Sequence, residues 1–359
     1  MKIDIEHAYL LAPLAELTHA AFRRLLEEYG APDLYWTEML SAAGLVAESP
    51  FTSWYLDFSP DPERTVVQLV GGEADRFREA AEKVAARATV YGFDINMGCS
   101  VPRIRSRGWG VVLMAEPERA RRIVAVLRRS FPDHSLSAKL RLGEREDGRT
   151  LCELARSLQA EGLDFLTLHP KTSRTVRSRP AKWSYVGLLR RELRIPVVGN
   201  GGIEGPESLE RCRRQAGRGG VMDGRGGVMD GRGGVMVGRG AVRRPWIFSR
   251  LREAEAPERE CSGAAPETVK LDRVNLERGD LDKVNLERVG RRHLELIARL
   301  LPPEFHVSRA RRFFYYFCDN LRFGYRLKMH MQEAPDLETI GRMWEDYFGR
   351  NPDEREKQT

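Results

Sequence analysis

The chain has 359 residues, 59 Lys and Arg against 52 Asp and Glu, and a formal net charge of +7. That length holds an α/β barrel of about 250 residues plus a smaller domain, and the positive balance suits a polyanionic partner without demanding one. Five scattered cysteines with no Cys-x-x-Cys pair, acidic residues in the amino-terminal MKIDIEH, and no apolar run of membrane-spanning length argue against a zinc ribbon, a disulfide framework, a signal peptide and a membrane span, so a metal-free cytoplasmic protein is expected; a monomer is expected as well, although no motif fixes the oligomeric state.

Between residue 8 and about residue 248, short apolar runs alternate with amphipathic segments. The runs are Tyr9 to Ala12, Leu34 to Trp36, Thr65 to Val70, Phe93 to Met97, Leu136 to Leu142, Phe165 to Leu168, Pro196 to Gly199 and Gly234 to Val237. Helical segments begin near Leu17, Glu73, Glu116, Gly148, Pro180 and Gly205. The one from Glu73 to Ala88 sets Phe77, Ala80, Ala81, Val84 and Ala88 on one face at helical spacing. This alternation predicts a (β/α)8 TIM barrel over residues 1–252 rather than an open doubly wound sheet, whose G-x-G-x-x-G fingerprint is missing after the first run.

The eighth run sits in a seven-residue repeat, GRGGVMD at Gly217 to Asp223 and again at Gly224 to Asp230, then GRGGVMV at Gly231 to Val237. The period is too short for a solenoid unit and is not the three of collagen. An Asp in a buried strand is costly without a partner, so the strand is assigned to the last copy and the residues from about 217 to 233 to a Gly-rich insertion. Residues 253–289 read as a polar linker with a second near-repeat, LDRVNLERG and LDKVNLERV. Residues 290–350 then form a small all-helical domain before a charged tail. Its run SRARRFFYYFCDNLRFGYRLK interleaves Arg and Lys with aromatics, as nucleic-acid surfaces do and as amphipathic core helices also do.

Several polar residues fall at or just past the ends of different strands, where a barrel builds its site. They are Gln68, Asn96, Cys99, Lys139, Arg141, His169, Asn200 and Arg239. Lys139 and Arg141 lie two apart and share a face of their strand, and an inward Lys is expensive unless it serves a ligand. Asn200-Gly201-Gly202 and Gly238-Arg239-Gly240 offer backbone N–H groups and a guanidinium to a phosphate, although glycine turns also arise for steric reasons.

With Ala12-Pro13-Leu14, Gln68-Leu69-Val70-Gly71, Asp94-Ile95-Asn96-Met97-Gly98-Cys99, Lys139-Leu140-Arg141, Leu168-His169-Pro170-Lys171-Thr172, Gly199-Asn200-Gly201 and Gly238-Arg239-Gly240 in place, the chain resembles the dihydrouridine synthase family over residues 8 to about 250. Departures are Ser100 where the family usually has Pro, and Lys171 where Arg is common. The resemblance implies FMN-dependent reduction of uridines in tRNA with NADPH as reductant. It implies that Pro13, Leu14, Gln68, Lys139 and His169 surround the flavin ring, and that Asn200, Gly201, Gly238 and Arg239 hold its phosphate. It further implies that Asn96 and Arg141 face the uracil, that Cys99 is the general acid, and that the helical domain grips tRNA, no protein partner being implied. Two other readings are an FMN barrel oxidoreductase acting on a free pyrimidine and a decayed tRNA-binding paralogue.

Overall fold

Apolar runs bounded by turn residues become parallel strands in the computed structural model, which describes residues 3–174, 179–217, 233–260 and 283–358. They are β1 (Tyr9–Leu11), β2 (Tyr35–Trp36), β3 (Leu40–Ser41), β4 (Thr65–Val70), β5 (Gly92–Met97), β6 (Ser135–Leu140), β7 (Phe165–Leu168), β8 (Val197–Asn200) and β9 (Val235–Val237). Their order is β1-β9-β8-β7-β6-β5-β4-β2, with the short β3 also on β4. A parallel bridge from Leu10 to Leu34 closes the ring. Two hydrogen bonds reinforce that seam, Leu11 N to Leu34 O at 3.0 Å and Asp33 N to Tyr9 O at 2.8 Å. This is the expected (β/α)8 barrel, followed by a helical carboxyl-terminal region.

The helices that pack outside have local causes. Ala74–Arg87 buries Phe77, Ala80, Ala81 and Val84 along one stripe. Gly148–Ala160 starts where Asp147 accepts the N–H groups of Arg149 and Thr150, which satisfies donors that the first turn leaves unpaired. Inside the ring, Leu10, Ala12, Trp36, Val66, Phe165, Val198 and Met236 form an apolar plug. Side chains alternate across a strand, so these positions define which parity points inward.

Backbone proximity divides the chain into two compact units. The first comprises Met1–Leu14, Asp33–Ile203 and Glu207–Gly238; the second comprises Ala15–Pro32, Glu204–Pro206 and Arg239–Thr359. The division falls after Gly238, and the helix Ala20–Gly30 groups with the carboxyl-terminal helices. In the second unit, Arg292 donates to both carboxylate oxygens of Glu28 at 2.7 and 2.9 Å, and the helices Leu286–Leu300, Pro303–Phe317 and Leu337–Arg350 bury Leu296, Phe313, Phe314, Phe317 and Trp344.

Three expectations shift. The stretch expected as linker begins as the end of the helix Ile247–Glu260, because Ile247, Phe248 and Leu251 keep the apolar period and the Ala- and Glu-rich segment beyond them favours helix. At its other end β10 (Lys283–Asn285) pairs antiparallel with β11 (Glu356–Gln358), so part of the expected charged tail is a strand. Finally, Arg141 lies past the end of β6, which stops at Leu140. Of the heptad repeat, the last copy supplies β9 as expected, whereas the two earlier copies lie outside the described residues apart from Gly217, which ends the helix Pro206–Gly217. No described helix is long and apolar enough to cross a membrane.

Candidate active site

The expected site residues share the inward parity set by the apolar plug. Gln68 follows Val66 by two, His169 follows Phe165 by four, Asn200 follows Val198 by two, and Gly238 follows Met236 by two, so each continues an inward row toward the carboxyl end of its strand. The plug closes the barrel on one side, and the polar residues stand above it where βα loops begin. This is the end at which such barrels carry chemistry.

Register joins the rows. Gln68 stands opposite Asp94, Asp94 opposite Ser137, Asn96 opposite Lys139, and Lys139 opposite Thr167. Asp94 is fully buried, and both of its oxygens are used: Oδ1 accepts from Ser137 Oγ at 2.6 Å and Oδ2 accepts from Gln68 Nε2 at 2.7 Å. Gln68 Oε1 accepts from Asn96 Nδ2 at 2.9 Å. Asn96 Oδ1 in turn accepts the backbone N–H groups of Cys99 at 2.9 Å and Gly98 at 3.2 Å. Burial pushes the Asp94 carboxyl above its ordinary value, and the bonds from Ser137 and Gln68 and the charge of Lys139 oppose the rise.

Cys99 is half-buried and free. Burial pushes its thiol up, while hydrogen bonding from the Val101 backbone and the charge of Arg141 pull it down. The loop that carries it is clamped from the far side, since Val111 N donates to Cys99 O at 3.0 Å. Gly110 makes that approach feasible: its φ is +64°, and a Cβ there would lie 2.6 Å from Cys99 O. No side chain fits, which explains the second glycine of the Gly-Trp-Gly turn.

Lys139 is lowered to about 8 by burial, with Arg141 adding to the shift and Asp94 opposing it. Arg141 Nη1 donates to Thr172 O at 3.2 Å. The His169 ring lies against Gly201, where a Cβ would come within 2.7 Å of its Cδ2; Gly201 has φ +110° and Gly202 φ +81°. A Cβ on Gly202 would meet nothing within 4 Å, so the turn after β8 offers bare backbone to open space, the form of an anion cradle. Asn200 Nδ2 donates to Met236 O at 2.6 Å and ties β8 to β9. A Cβ on Gly238 would sit 3.6 Å from Leu14 Cδ2, which brings that turn beside the half-buried Pro13 and Leu14. Arg239 is exposed and opens the helix Arg239–Arg243 in the second unit; Arg218, Arg225 and Arg232 lie outside the described residues.

Two residues escaped the sequence reading. Asp94 stands inside the quoted motif, and its parity with Asn96 was the available signal, because an acid on the inner face of an apolar strand needs partners. Thr167 Oγ1 is buried without a hydrogen-bond partner among the described residues, at the register position of Lys139. Nothing in LTLHP distinguishes that threonine from an ordinary strand residue.

Comparison with known proteins identifies the family. The family model described as "Dihydrouridine synthase (Dus)" matches residues 10–230, more than half of the chain. The chain is 32% identical to "Probable tRNA-dihydrouridine synthase 1" of Synechocystis sp. over 62% of this chain and 61% of that protein. Proteins named "Probable tRNA-dihydrouridine synthase" match from Aquifex aeolicus at 29% identity, covering 68% of this chain and 72% of the relative, and from Rhodobacter capsulatus at 31%, covering 62% and 68%. The matched region thus spans about two thirds of the length of these relatives. Among solved structures, a variant of NCR from Zymomonas mobilis aligns over 68% of this chain and 86% of that chain with a TM-score of 0.41 at 13% identity. By the extent of the family match and by these relatives, the chain belongs to the dihydrouridine synthase family.

Proposed function

We propose that this protein reduces the C5–C6 double bond of specific uridines in tRNA, with FMN as bound cofactor and NADPH as reductant, in the cytoplasm. The observation that carries the reading is the convergence, at one end of the barrel, of a protonated thiol, a partly desolvated lysine and a bare glycine turn. A flavin phosphate fits that turn. Asn200, Gly201, Gly238 and Arg239 would hold the phosphate, and Pro13, Leu14, Gln68, Lys139 and His169 would surround the ring, with Thr167 Oγ1 a spare hydroxyl on the same inner row. When bound, the flavin supplies the hydride delivered to C6 of uracil.

The chain's own residues account for the rest. Lys139, lowered to about 8, keeps its charge at neutral pH and would favour negative charge on a flavin ring bound beside it. Cys99 is held in the thiol form at neutral pH by burial, so it has a proton to give, and Sγ delivers it to C5. Arg141, whose charge lowers the thiol, stabilises the thiolate left behind. Asn96 and Arg141 would orient the base, which must first leave its stack.

For the RNA, the second unit exposes Tyr325 (71%), Phe323, Tyr315 and Met329. Lys328 Nζ lies 5.0 Å from the Tyr315 ring centroid and 5.7 Å from that of Tyr325. Aromatic faces mixed with cations, among Arg322 and Arg326, suit stacking bases and phosphates. The test is to map dihydrouridine in tRNA from cells lacking the gene. Loss at defined positions, restored by the gene, is expected; an unchanged map overturns the reading.

A further inference from the structure

The hydrogen bonds that start at Asp94 run in one direction. In its ionised form Asp94 can only accept, so the end of the Gln68 amide that faces it is then Nε2. That leaves Gln68 Oε1 for Asn96, so Asn96 must present Nδ2 to it and Oδ1 to the opposite side. On that side are the N–H groups of Gly98 and Cys99, at 3.2 and 2.9 Å. Reversing Gln68 would set oxygen against oxygen at Asp94, and reversing Asn96 would set N–H against N–H at Cys99. The three side chains are at most 8% exposed, so water does not repair a reversed link.

We propose that Asp94 is a positioning residue that fixes the polarity of the Gln68 and Asn96 amides in series and thereby holds the backbone of the Cys99 loop. It acts through Gln68 and Asn96. A buried carboxylate is a costly way to fill a strand position; its acceptor-only character is what the series needs, whereas Asn or Ser at 94 would accept either orientation of the neighbouring amide. Ser137, the second partner of Asp94, occupies Oδ1 and leaves Oδ2 to Gln68. The clamp of Val111 on Cys99 O secures the other end of the same residue, so the Cys99 peptide is gripped on both its N–H and its C=O. The proposal rests on Cys99 being the proton donor of the proposed reaction, since that role is what makes its placement matter.

The test is hydrogen exchange at the Gly98 and Cys99 amides in the full chain, without flavin or RNA. Asp94→Leu and Gln68→Met are each expected to speed exchange at these two amides about tenfold, the loss of roughly one hydrogen bond, with β8 amides unchanged. Asp94→Asn, which still offers one acceptor, should speed it no more than about threefold. Exchange within twofold of the parent in Gln68→Met overturns the proposal, and this nearly isosteric variant decides the matter if Asp94→Leu does not fold. The readout needs no turnover, so a chain with no dihydrouridine activity that still shows the tenfold effect keeps the relay and loses the proposed function, and the reverse pattern separates them the other way.

Discussion

In the barrel, Asp94 is fully buried, and both of its oxygens accept hydrogen bonds from side chains fixed on neighbouring strands. In the helical unit, His19 and His293 are equally buried, with ring centroids 5.9 Å apart, yet His293 Nδ1 and Nε2 and His19 Nε2 have no hydrogen-bond partner among the described residues. His293 instead sits 4.0 Å, centroid to centroid, from the Phe313 ring. The first cluster keeps its polarity and directs it toward the Cys99 backbone. The second survives by staying neutral: burial lowers His293 to about 3, and burial together with His293, Arg309 and Arg23 lowers His19 well below its ordinary value. Polar atoms that are bonded in a fixed direction can position chemistry, whereas polar atoms merely tolerated in a core are a liability that acid exposes.

The largest expected effect breaks the first cluster. Asp94→Leu strands Gln68 Nε2 and Ser137 Oγ without an acceptor and should cost about 3 kcal/mol in urea unfolding, while His293→Leu should be neutral or slightly stabilising. Equal losses for the two would erase the contrast. Next, Gly201→Ala puts a methyl against His169 at a φ of +110°, and about 2 kcal/mol of stability should go, read in the same experiment.

Acid should then separate the clusters by sign. Both histidines bind a proton in the unfolded chain near pH 6.5 but not in the folded one, so the unfolded state holds more protons and stability falls as pH drops below that value. The slope is about 1.4 kcal/mol per pH unit for each histidine, continuing for His293 down to about 3. Asp94 works the other way, because its folded carboxyl is raised and takes up a proton before its unfolded counterpart. The difference in acid stability between parent and His293→Leu isolates the histidine share; no difference would mean that the ring is solvated. The smallest effect concerns the exposed face. Tyr325→Ala should weaken tRNA binding by about 1 kcal/mol, measured by titration at fixed salt, and Arg326→Gln, which removes an exposed cation, should reduce the salt dependence of binding.

How much of this could be read from residue order follows the same divide. Strand positions were legible because short apolar runs bounded by Gly, Pro and Asn are a strong local signal, and the candidate site residues stood out because Asn96, Lys139, His169 and Asn200 are polar positions at or next to the carboxyl ends of such runs, with Gln68 polar inside one. The partner of each was not, since the Gln68–Asp94 and Asn96–Gln68 bonds join residues 26 and 28 apart in sequence and depend on register. The helix Ala20–Gly30 grouped with the second unit because contacts such as Arg292 with Glu28 span most of the chain. Pairing of β10 with β11 was equally invisible, two short polar segments carrying no strand signal of their own.

The central claim is that Cys99 is the proton donor of a flavin-dependent uridine reduction, and the most direct measurement is single-turnover reduction of tRNA by the purified, flavin-loaded Cys99→Ala variant. The account predicts flavin content equal to the parent and dihydrouridine formation slowed by about 10²- to 10⁴-fold, the range for loss of a general acid. Formation within twofold of the parent rate would contradict it.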